Sequence, residues 1–348
     1  MKAIQLLGKE KIQLSELAKP AISEKEVLIK VRAASICGTD VRMYKNGYPT
    51  ASEETPLTLG HEISGDIVEV GASVNFYKKG MRVAIAPNMG CGICDQCVSG
   101  NTHLCDSYEA FGINLPGGFA EYLVIPEKAV RQGNISLIPD ALSYEEAALI
   151  EPFSCVFNGQ EITGNKPGDH VLIIGSGPIG IMHAMLARAR GAGKVMMNDL
   201  SESRLADAKK MIPDLIPLTS KNLQEKIFAE TNHQGVDLCI IAAPEPQDQE
   251  ASFNYMAMNG RCLFFGGLPK EKEEVKLNTN ILHYKQLRVF GCTRASLMGY
   301  RTSAQLVASG RIPLKELITK RYSFDQFDKA LDNAKKAIGL KNVIVFKE

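Results

Sequence analysis

The first 150 residues alternate between short runs rich in apolar residues and breaks at glycine and proline. The clearest runs cover 26–32, 63–70, 82–86 and 120–125. Runs of this length between glycine and proline are typical of short strands rather than helices. The pattern therefore predicts an irregular, β-rich domain over residues 1–150.

After Gly168 the pattern changes, because apolar runs of strand length now alternate with runs of helix length. The expected strands cover 170–175, 194–199, 236–242, 261–265 and 287–291, and the expected helices cover 179–191, 201–211 and 248–258. Strands that alternate with helices are typical of βαβ units, in which neighbouring strands lie parallel. Six strands would complete a doubly wound parallel sheet, so an α/β domain is expected over 151–290.

The last part of the chain, 291–348, shows two more helical patterns, near 303–309 and 324–338. Pro313 separates them, and Gly339 follows the second one, as expected where a helix ends. These residues could pack back on the first domain.

Composition excludes several classes of protein. The 348 residues include 40 Lys or Arg and 39 Asp or Glu, so the net charge of +1 lacks the basic excess of proteins that bind nucleic acid. Hydrophobic residues at 45% and charged residues at 23% are typical of a folded globular protein. The longest apolar stretches, 171–174 and 239–243, are far shorter than the ~20 residues that cross a bilayer. The N-terminal MKAIQLLGKEK lacks a secretory apolar run, so a cytoplasmic protein without membrane or nucleic-acid partners is expected.

A glycine-rich turn, GSGPIG, lies between an expected strand and an expected helix. Gly175, Gly177 and Gly180 permit a tight turn and let the backbone approach a pyrophosphate closely. Pro178 is tolerated in the first turn of a helix, and the dipole and free N–H groups of the helix starting near Ile179 favour negative charge. These five residues are therefore predicted to bind the pyrophosphate of a dinucleotide.

Asp199 ends the next expected strand, where an acidic side chain can accept hydrogen bonds from the adenine-side ribose of a dinucleotide. A carboxylate at this place repels a 2′-phosphate, so the sequence favours NAD over NADP. Arg204 follows shortly after it and could weaken that preference.

Four of the nine cysteines crowd into one stretch, CGICDQCVSGNTHLC. They are Cys91, Cys94, Cys97 and Cys105. Four thiolates on a short loop suit a tetrahedral Zn²⁺ without an open position, which is a structural site. An iron–sulfur cluster or disulfides are the alternatives, and disulfides are disfavoured in a reducing compartment. His103 could substitute as a ligand, although we expect it to be a solvated loop histidine.

A second set of polar residues is spread widely: Cys37 in ICGTD, His61 and Glu62 in LGHE, and Glu151 in LIEPF. No local spacing rule joins them, so the residues by themselves do not predict that they meet. Their surroundings are more specific. The motifs ICGTD, LGHEISGDIVEVG, the four-cysteine stretch, GGFAEY, EP and GSGPIG resemble those of zinc-dependent medium-chain dehydrogenases, over essentially the whole chain.

That resemblance implies a GroES-like catalytic domain over 1–150, a Rossmann domain with a doubly wound parallel sheet over 151–290, and a return of 291–348 to the catalytic domain. It also implies two zinc ions per chain, one catalytic and one structural, together with NAD. Members of the family are usually homodimers or homotetramers, often paired through the last Rossmann strand, here 287–291.

The resemblance also implies a ligand set for the catalytic zinc. It places Cys37 and His61 on the ion, and in the sorbitol and polyol dehydrogenase branch Glu62 and Glu151 supply or support the remaining positions. Classical alcohol dehydrogenases carry a cysteine as the third protein ligand, so a glutamate at 151 indicates the polyol branch. Cys155 is the rival candidate for that position.

The implied activity is the NAD-linked oxidation of a secondary hydroxyl of a polyol, a pentitol or hexitol, to a ketose. Thr39 matches the hydroxyl that starts the proton relay in this family. Arg42, Lys45 and Arg294 face the cleft by analogy and could bind the phosphate of a phosphorylated polyol. L-Threonine and simple secondary alcohols are alternative substrates, and a dinucleotide-binding sensor without catalysis is an alternative of another class.

Overall fold

The structure is a computed structural model that describes residues 1–347. The chain forms two compact units, one of Met1–Ser154 with Arg294–Glu348 and one of Cys155–Thr293. None of the helices in the described part of the chain has both the length and the apolar character needed to cross a membrane.

The chain up to residue 154 consists mainly of short strands. These strands are β1 (Lys2–Gly8), β2 (Lys11–Glu16), β3 (Val27–Ser35), β4 (Leu57–Thr58), β5 (Glu62–Val70), β6 (Arg82–Ile85), β7 (Asn88–Met89), β8 (Glu109–Ala110), β9 (Tyr122–Ile125) and β10 (Ile135–Leu137). The helices are α1 (Gly38–Asn46), α2 (Asp95–Val98), α3 (Glu127–Gln132), α4 (Tyr144–Ala148) and α5 (Ile150–Thr163). The β-rich character expected of this part is confirmed.

The second unit alternates strands with helices. Its strands are β11 (His170–Ile174), β12 (Lys194–Asp199), β13 (Ile216–Thr219), β14 (Val236–Ile241), β15 (Met256–Phe264) and β16 (Arg288–Gly291). Its helices are α6 (Pro178–Ala189), α7 (Glu202–Met211), α8 (Leu223–Glu230), α9 (Pro246–Ala251) and α10 (Thr279–Tyr284). All neighbouring strands are parallel, in the order β13-β12-β11-β14-β15-β16, which confirms the doubly wound sheet.

The helix expected over 248–258 is wrong in its extent. Helix α9 ends at Ala251, a 3-10 turn follows, and Met256 already belongs to β15. Met256 is fully buried and lies opposite Val236 of β14. Sheet pairing therefore overrides the local helical pattern. In the strand, Met256 is buried and its backbone groups can pair with β14, whereas a longer helix would have used them for hydrogen bonds within the helix.

The last segment contains the helices α11 (Leu297–Ala308) and α12 (Phe327–Lys335) and the strands β17 (Ile318–Ser323) and β18 (Lys341–Val345). Helix α11 begins at Leu297, well before the expected 303, because the hydroxyl of Ser296 caps it by accepting from the Gly299 N–H at 3.1 Å. Helix α12 is shorter than expected, since one 3-10 turn precedes it and it ends at Lys335.

The first unit is built around a seven-stranded sheet with the order β10-β6-β5-β3-β18-β17, in which β9 also pairs with β3. The final strand of the chain is thus inserted beside β3, antiparallel to it. Ser35 at the end of β3 lies opposite Glu62 of β5 on one side and Val343 of β18 on the other. Three distant parts of the sequence therefore meet at this end of β3.

Candidate metal and dinucleotide sites

Three side chains that could bind a metal ion meet where β3 ends and β5 begins. Cys37, His61 and Glu62 each offer a donor atom, and these atoms all lie within 4.8 Å of one another. Cys37 follows β3 and precedes the first residue of α1, while His61 directly precedes β5. The antiparallel register of the two strands brings the groups together. Thiolate, imidazole and carboxylate are the donors that zinc accepts in proteins.

Gly60 allows the chain to turn into this position. Its φ is +94°, a conformation that L side chains rarely adopt. A Cβ at Gly60 would also lie 2.9 Å from the ring and backbone of Phe119, which is fully buried. The fold therefore requires glycine at position 60, and the spacing of residues along the sequence does not reveal this requirement.

Negative charge surrounds His61. Burial lowers the pKa of His61, but Cys37 and Asp40 outweigh it, so that the pKa lies well above its usual value. Asp40 Oδ1 lies 3.7 Å from Nδ1 of His61, and its other oxygen accepts from the Cys37 N–H at 2.8 Å. A carboxylate behind a metal-binding histidine orients the ring. The potential that favours a proton on His61 also favours a bound cation, so the donor set fits zinc.

Lys341 is buried beside the same group. Its Nζ lies 2.7 Å and 2.6 Å from the two oxygens of Glu62, and both side chains are almost completely excluded from solvent. The same amine donates to the carbonyl of Ile36 at 3.3 Å. Lys341 reaches this place because β18 is inserted beside β3. Sequence reasoning missed both Lys341 and Asp40, although Asp40 lies within the ICGTD motif.

Glu151, in the first turn of α5, is only 7% exposed. It lies outside the compact group of Cys37, His61 and Glu62, although its charge acts on His61. Burial, and after it the charge of Glu151, raises the pKa of Tyr300 well above its usual value. The Tyr300 hydroxyl is buried without a hydrogen-bond partner within residues 1–347.

Thr39 lies in the first turn of α1, two residues beyond Cys37. Its Oγ1 accepts a hydrogen bond from the guanidinium of Arg42 at 2.9 Å. Arg42 and Lys45 are both exposed. Arg42 therefore contacts the hydroxyl to which the family resemblance assigned proton transfer.

The four-cysteine loop brings its sulfur atoms together. The donor atoms of Cys91, Cys94, Cys97 and Cys105 all lie within 4.8 Å of one another, and no described cysteine is part of a disulfide. The Cys91 and Cys97 sulfurs are 4.0 Å apart. A tetrahedral zinc with Zn–S bonds of about 2.3 Å separates its sulfurs by about 3.8 Å. The loop therefore fits a tetrahedral ion.

Backbone N–H groups support thiolates in this loop. Cys91 N–H donates to the sulfur of Cys105 at 3.2 Å, and Cys94 N–H donates to the sulfur of Cys91 at 3.3 Å. Hydrogen bonds from the backbone at Ile93 and Cys94 lower the pKa of Cys91 to about 6, whereas burial raises the pKa of Cys97 to about 11. Thiolates are the form that binds metal.

The expectation of a solvated His103 is wrong. This side chain is 4% exposed, and it is not part of the compact group of four sulfurs. Burial, followed by the charge of Arg294, lowers the pKa of His103. Arg294 donates to the His103 carbonyl at 2.9 Å, and its guanidinium carbon lies 3.8 Å from the centre of the Tyr108 ring.

The glycine-rich turn of the second unit connects β11 to α6. Gly175 has a φ of +105°, and a Cβ on Gly180 would lie 1.8 Å from the Gly175 carbonyl oxygen, so both glycines are sterically required. A Cβ on Gly177 would meet no atom within 4 Å, which leaves open space above the turn. Pro178 and Ile179 begin α6, whose N-terminal dipole favours an anion.

Asp199, at the end of β12, lies directly against this turn. One of its oxygens accepts from the N–H and hydroxyl of Ser176, at 2.7 and 2.8 Å, and the other accepts from the Ser201 N–H at 2.8 Å. Burial raises the pKa of Asp199, but these hydrogen bonds, with a smaller contribution from Arg204, lower it below its usual value. The carboxylate is therefore ionised at neutral pH. Sequence reasoning missed Ser176.

Comparison with known proteins gives two family matches. Residues 23–139 match the family model of the alcohol dehydrogenase GroES-like domain, and residues 178–309 match that of zinc-binding dehydrogenases. Sorbitol dehydrogenase of Bacillus subtilis is 36% identical over 337 residues, which is 96% of this chain and 93% of that protein. L-Threonine 3-dehydrogenase of Yersinia enterocolitica is 32% identical over 336 residues, 95% of this chain and 96% of that protein.

A solved structure has the same architecture. It is a zinc-binding dehydrogenase of Sinorhizobium meliloti bound to NADP, with a TM-score of 0.90, 30% identity, and coverage of 99% of this chain and 98% of that one. The chain therefore belongs to the zinc-dependent medium-chain dehydrogenases, a family of oxidoreductases in which a GroES-like domain is combined with a Rossmann-type sheet.

Proposed function

We propose that this enzyme is a zinc-dependent, NAD-linked polyol dehydrogenase that oxidises a secondary hydroxyl to a ketone. The observation that carries the proposal is the meeting of Cys37, His61 and Glu62, whose donors lie within 4.8 Å, with the buried Glu151 acting on the same histidine. A carboxylate-rich set of this kind is what the polyol branch uses. The similarity to a sorbitol dehydrogenase over nearly the full length supports the same substrate class.

In this proposal Cys37 and His61, together with Glu62 or Glu151, hold a catalytic zinc. The four cysteines of the loop hold a second, structural zinc. Zinc held by these donors would lower the pKa of the substrate hydroxyl, and NAD would supply the hydride acceptor. Asp40 keeps the His61 ring in orientation, and Lys341 holds the Glu62 carboxylate and balances part of the negative charge of the donors.

Thr39 is proposed to receive the substrate proton. Its oxygen accepts one hydrogen bond from Arg42, which leaves a second lone pair for the substrate hydroxyl and leaves its own O–H to pass a proton to water. Because Arg42 is exposed, the relay reaches solvent within a short distance. Arg42 favours a relay in which the Thr39 O–H proton leaves first, because the guanidinium stabilises negative charge on the Thr39 oxygen until the substrate proton replaces the lost one.

The same proposal assigns NAD as the cofactor. The ionised Asp199 beside Ser176 disfavours the 2′-phosphate of NADP by charge repulsion. Substitution Asp199→Ala should therefore raise kcat/KM for NADP relative to NAD by at least about tenfold, which corresponds to about 1.4 kcal/mol. An unchanged ratio in steady-state assays with both cofactors contradicts this assignment.

A steady-state panel tests the whole proposal. Zinc-replete enzyme is assayed with pentitols, hexitols, their phosphates, L-threonine and butan-2-ol, each with NAD and with NADP. The highest kcat/KM is expected for a polyol with NAD. A preference for L-threonine or for butan-2-ol rejects the polyol assignment while keeping the enzyme class, and a preference for a phosphorylated polyol assigns Arg42, Lys45 or Arg294 to phosphate binding.

A further inference from the structure

Ser176 lies between the first two glycines of the glycine-rich turn, and it is fully buried. The preceding Gly175 donates its N–H to the carbonyl of Asn198 at 2.8 Å, and Ser176 donates both its N–H and its hydroxyl to the Asp199 carboxylate. The turn is therefore tied directly to the end of β12. The side chain of Ser176 is directed at Asp199 and not at solvent.

Both donors of Ser176 reach the same carboxylate oxygen. Oδ2 of Asp199 accepts from the N–H of Ser176 at 2.7 Å and from its hydroxyl at 2.8 Å, while Oδ1 accepts from the Ser201 N–H at 2.8 Å. A carboxylate accepts hydrogen bonds at about four positions, so these bonds leave about one position, on Oδ1. The orientation of the carboxylate is therefore fixed, and a ligand hydroxyl can be accepted at one oxygen.

The two residues differ in their access to water. Asp199 is half-buried, whereas Ser176 is fully buried. Burial raises the pKa of Asp199, but the hydrogen bonds from Ser176 and Ser201 outweigh it and lower the pKa below its usual value. Water does not reach the position of the Ser176 hydroxyl, so nothing replaces this donor when it is removed. The hydroxyl therefore supports both the charge and the orientation of Asp199.

We propose that Ser176 is a positioning residue for the choice of cofactor. Its hydroxyl holds the Asp199 carboxylate in the orientation that accepts from a free 2′-hydroxyl of the adenine-side ribose and repels a phosphate at that position. Because Ser176 is fully buried, it acts through Asp199 and not by contact with the cofactor. The inference rests on the NAD preference in the proposed function and names a residue on which that preference depends.

The test measures the dissociation constants of NADH and NADPH from the change of their fluorescence on binding. The unmodified enzyme should bind NADH more tightly. Ser176→Ala keeps the backbone hydrogen bonds to Asp199 but loses one hydrogen bond to a charged group, so the preference for NADH should fall at least about fivefold. An unchanged preference in Ser176→Ala overturns the positioning role and leaves the NAD assignment standing. Tighter binding of NADPH by the unmodified enzyme overturns both.

A double variant tests whether Ser176 acts through Asp199. Asp199→Ala removes the group that Ser176 holds, so the hydroxyl then has no carboxylate to orient. Adding Ser176→Ala to Asp199→Ala should therefore change the ratio of the two dissociation constants by less than about twofold, because the effects of coupled residues do not add. A further fivefold change in the double variant means that Ser176 acts independently of the carboxylate, which overturns the proposal.

Ser252 supplies a matched control in the same unit. It is also fully buried, and its hydroxyl donates to the Gln249 carbonyl at 2.7 Å, so Ser252→Ala removes a buried hydroxyl without changing a partner of Asp199. This variant should keep the ratio of the two dissociation constants within about twofold. A shift as large as that in Ser176→Ala attributes the effect to general loosening of the unit and overturns the positioning role. All these measurements are of binding, so they decide the role of Ser176 even if the enzyme oxidises none of the alcohols tested.

Discussion

The two candidate metal sites of the first unit are assembled in opposite ways. The four-cysteine loop takes all its donors from residues 91–105, and its internal N–H to sulfur bonds connect these residues directly. The group of Cys37, His61 and Glu62 depends on the pairing of β3 with β5, and its charge is balanced by a lysine from the last strand. One site can form when a short loop closes, and the other exists only when the sheet is complete.

Because of this difference, substitutions at the two sites should change the stability of the protein to different extents. Cys91 and Cys94 are half-buried, so water can partly solvate a broken loop. Glu62 and Asp40 are fully buried, and Lys341 nearly so, where an unpaired charge is costly. We therefore expect damage at the loop to remain local, whereas damage at the convergent site removes both chemistry and stability.

The largest effect is expected for Cys37→Ser. Loss of the thiolate should remove the catalytic ion and lower kcat/KM for a polyol by at least about a thousandfold, equivalent to about 4 kcal/mol of transition-state stabilisation. NADH formation gives the rate, and elemental analysis gives the zinc content, which should fall by one ion per chain.

Cys155→Ser is the matched control for that loss. It makes the same chemical change at the cysteine that competes with Glu151 as a ligand candidate, and it should keep both turnover and zinc. If Cys155→Ser lowered kcat/KM a thousandfold while Glu151→Gln stayed active, Cys155 would be the zinc ligand and Glu151 would not, which is the reverse of our proposal.

The next largest effect is expected for Lys341→Met. This change leaves the Glu62 carboxylate buried without its partner, which typically costs about 3–5 kcal/mol. Urea denaturation followed by circular dichroism should show this loss in the free energy of unfolding. Lys341→Arg, which keeps the charge, should retain most of the stability. Equal stability of Lys341→Met and the unmodified chain would mean that Glu62 is neutral or solvated, contrary to the ion pair in the structure.

The same contrast explains which residues of the two sites could be predicted from the sequence. The four cysteines and the glycine-rich turn are local patterns, so spacing alone suggested their chemistry. Lys341 lies 279 residues from Glu62 along the chain, and no periodicity or spacing connects a lysine in a short apolar strand with a glutamate in another sheet strand. Only the insertion of β18 beside β3 reveals it. The resemblance to a family suggested Cys37, His61, Glu62 and Glu151, but not their buried partner.

The fold shows a similar limit. Alternation of strands and helices predicted the parallel sheet of the second unit, and the structure confirms it. The predicted ends of helices and strands were wrong where a tertiary contact competes with a local preference. Met256 is an example, because it pairs with β14 instead of extending a helix. The prediction for His103 was also wrong: a loop histidine is expected to be solvated, yet this side chain is buried, and Arg294, 191 residues away along the chain, donates to its carbonyl.

The smallest effect on catalysis is expected for Cys94→Ser. Because the loop supplies no donor to the group of Cys37, His61 and Glu62, this change should remove one zinc ion per chain while kcat stays within about threefold, and amide exchange should accelerate across 91–105. If Cys94→Ser abolished turnover as completely as Cys37→Ser, the two sites would not be independent, and the contrast between a local and a convergent site would be lost.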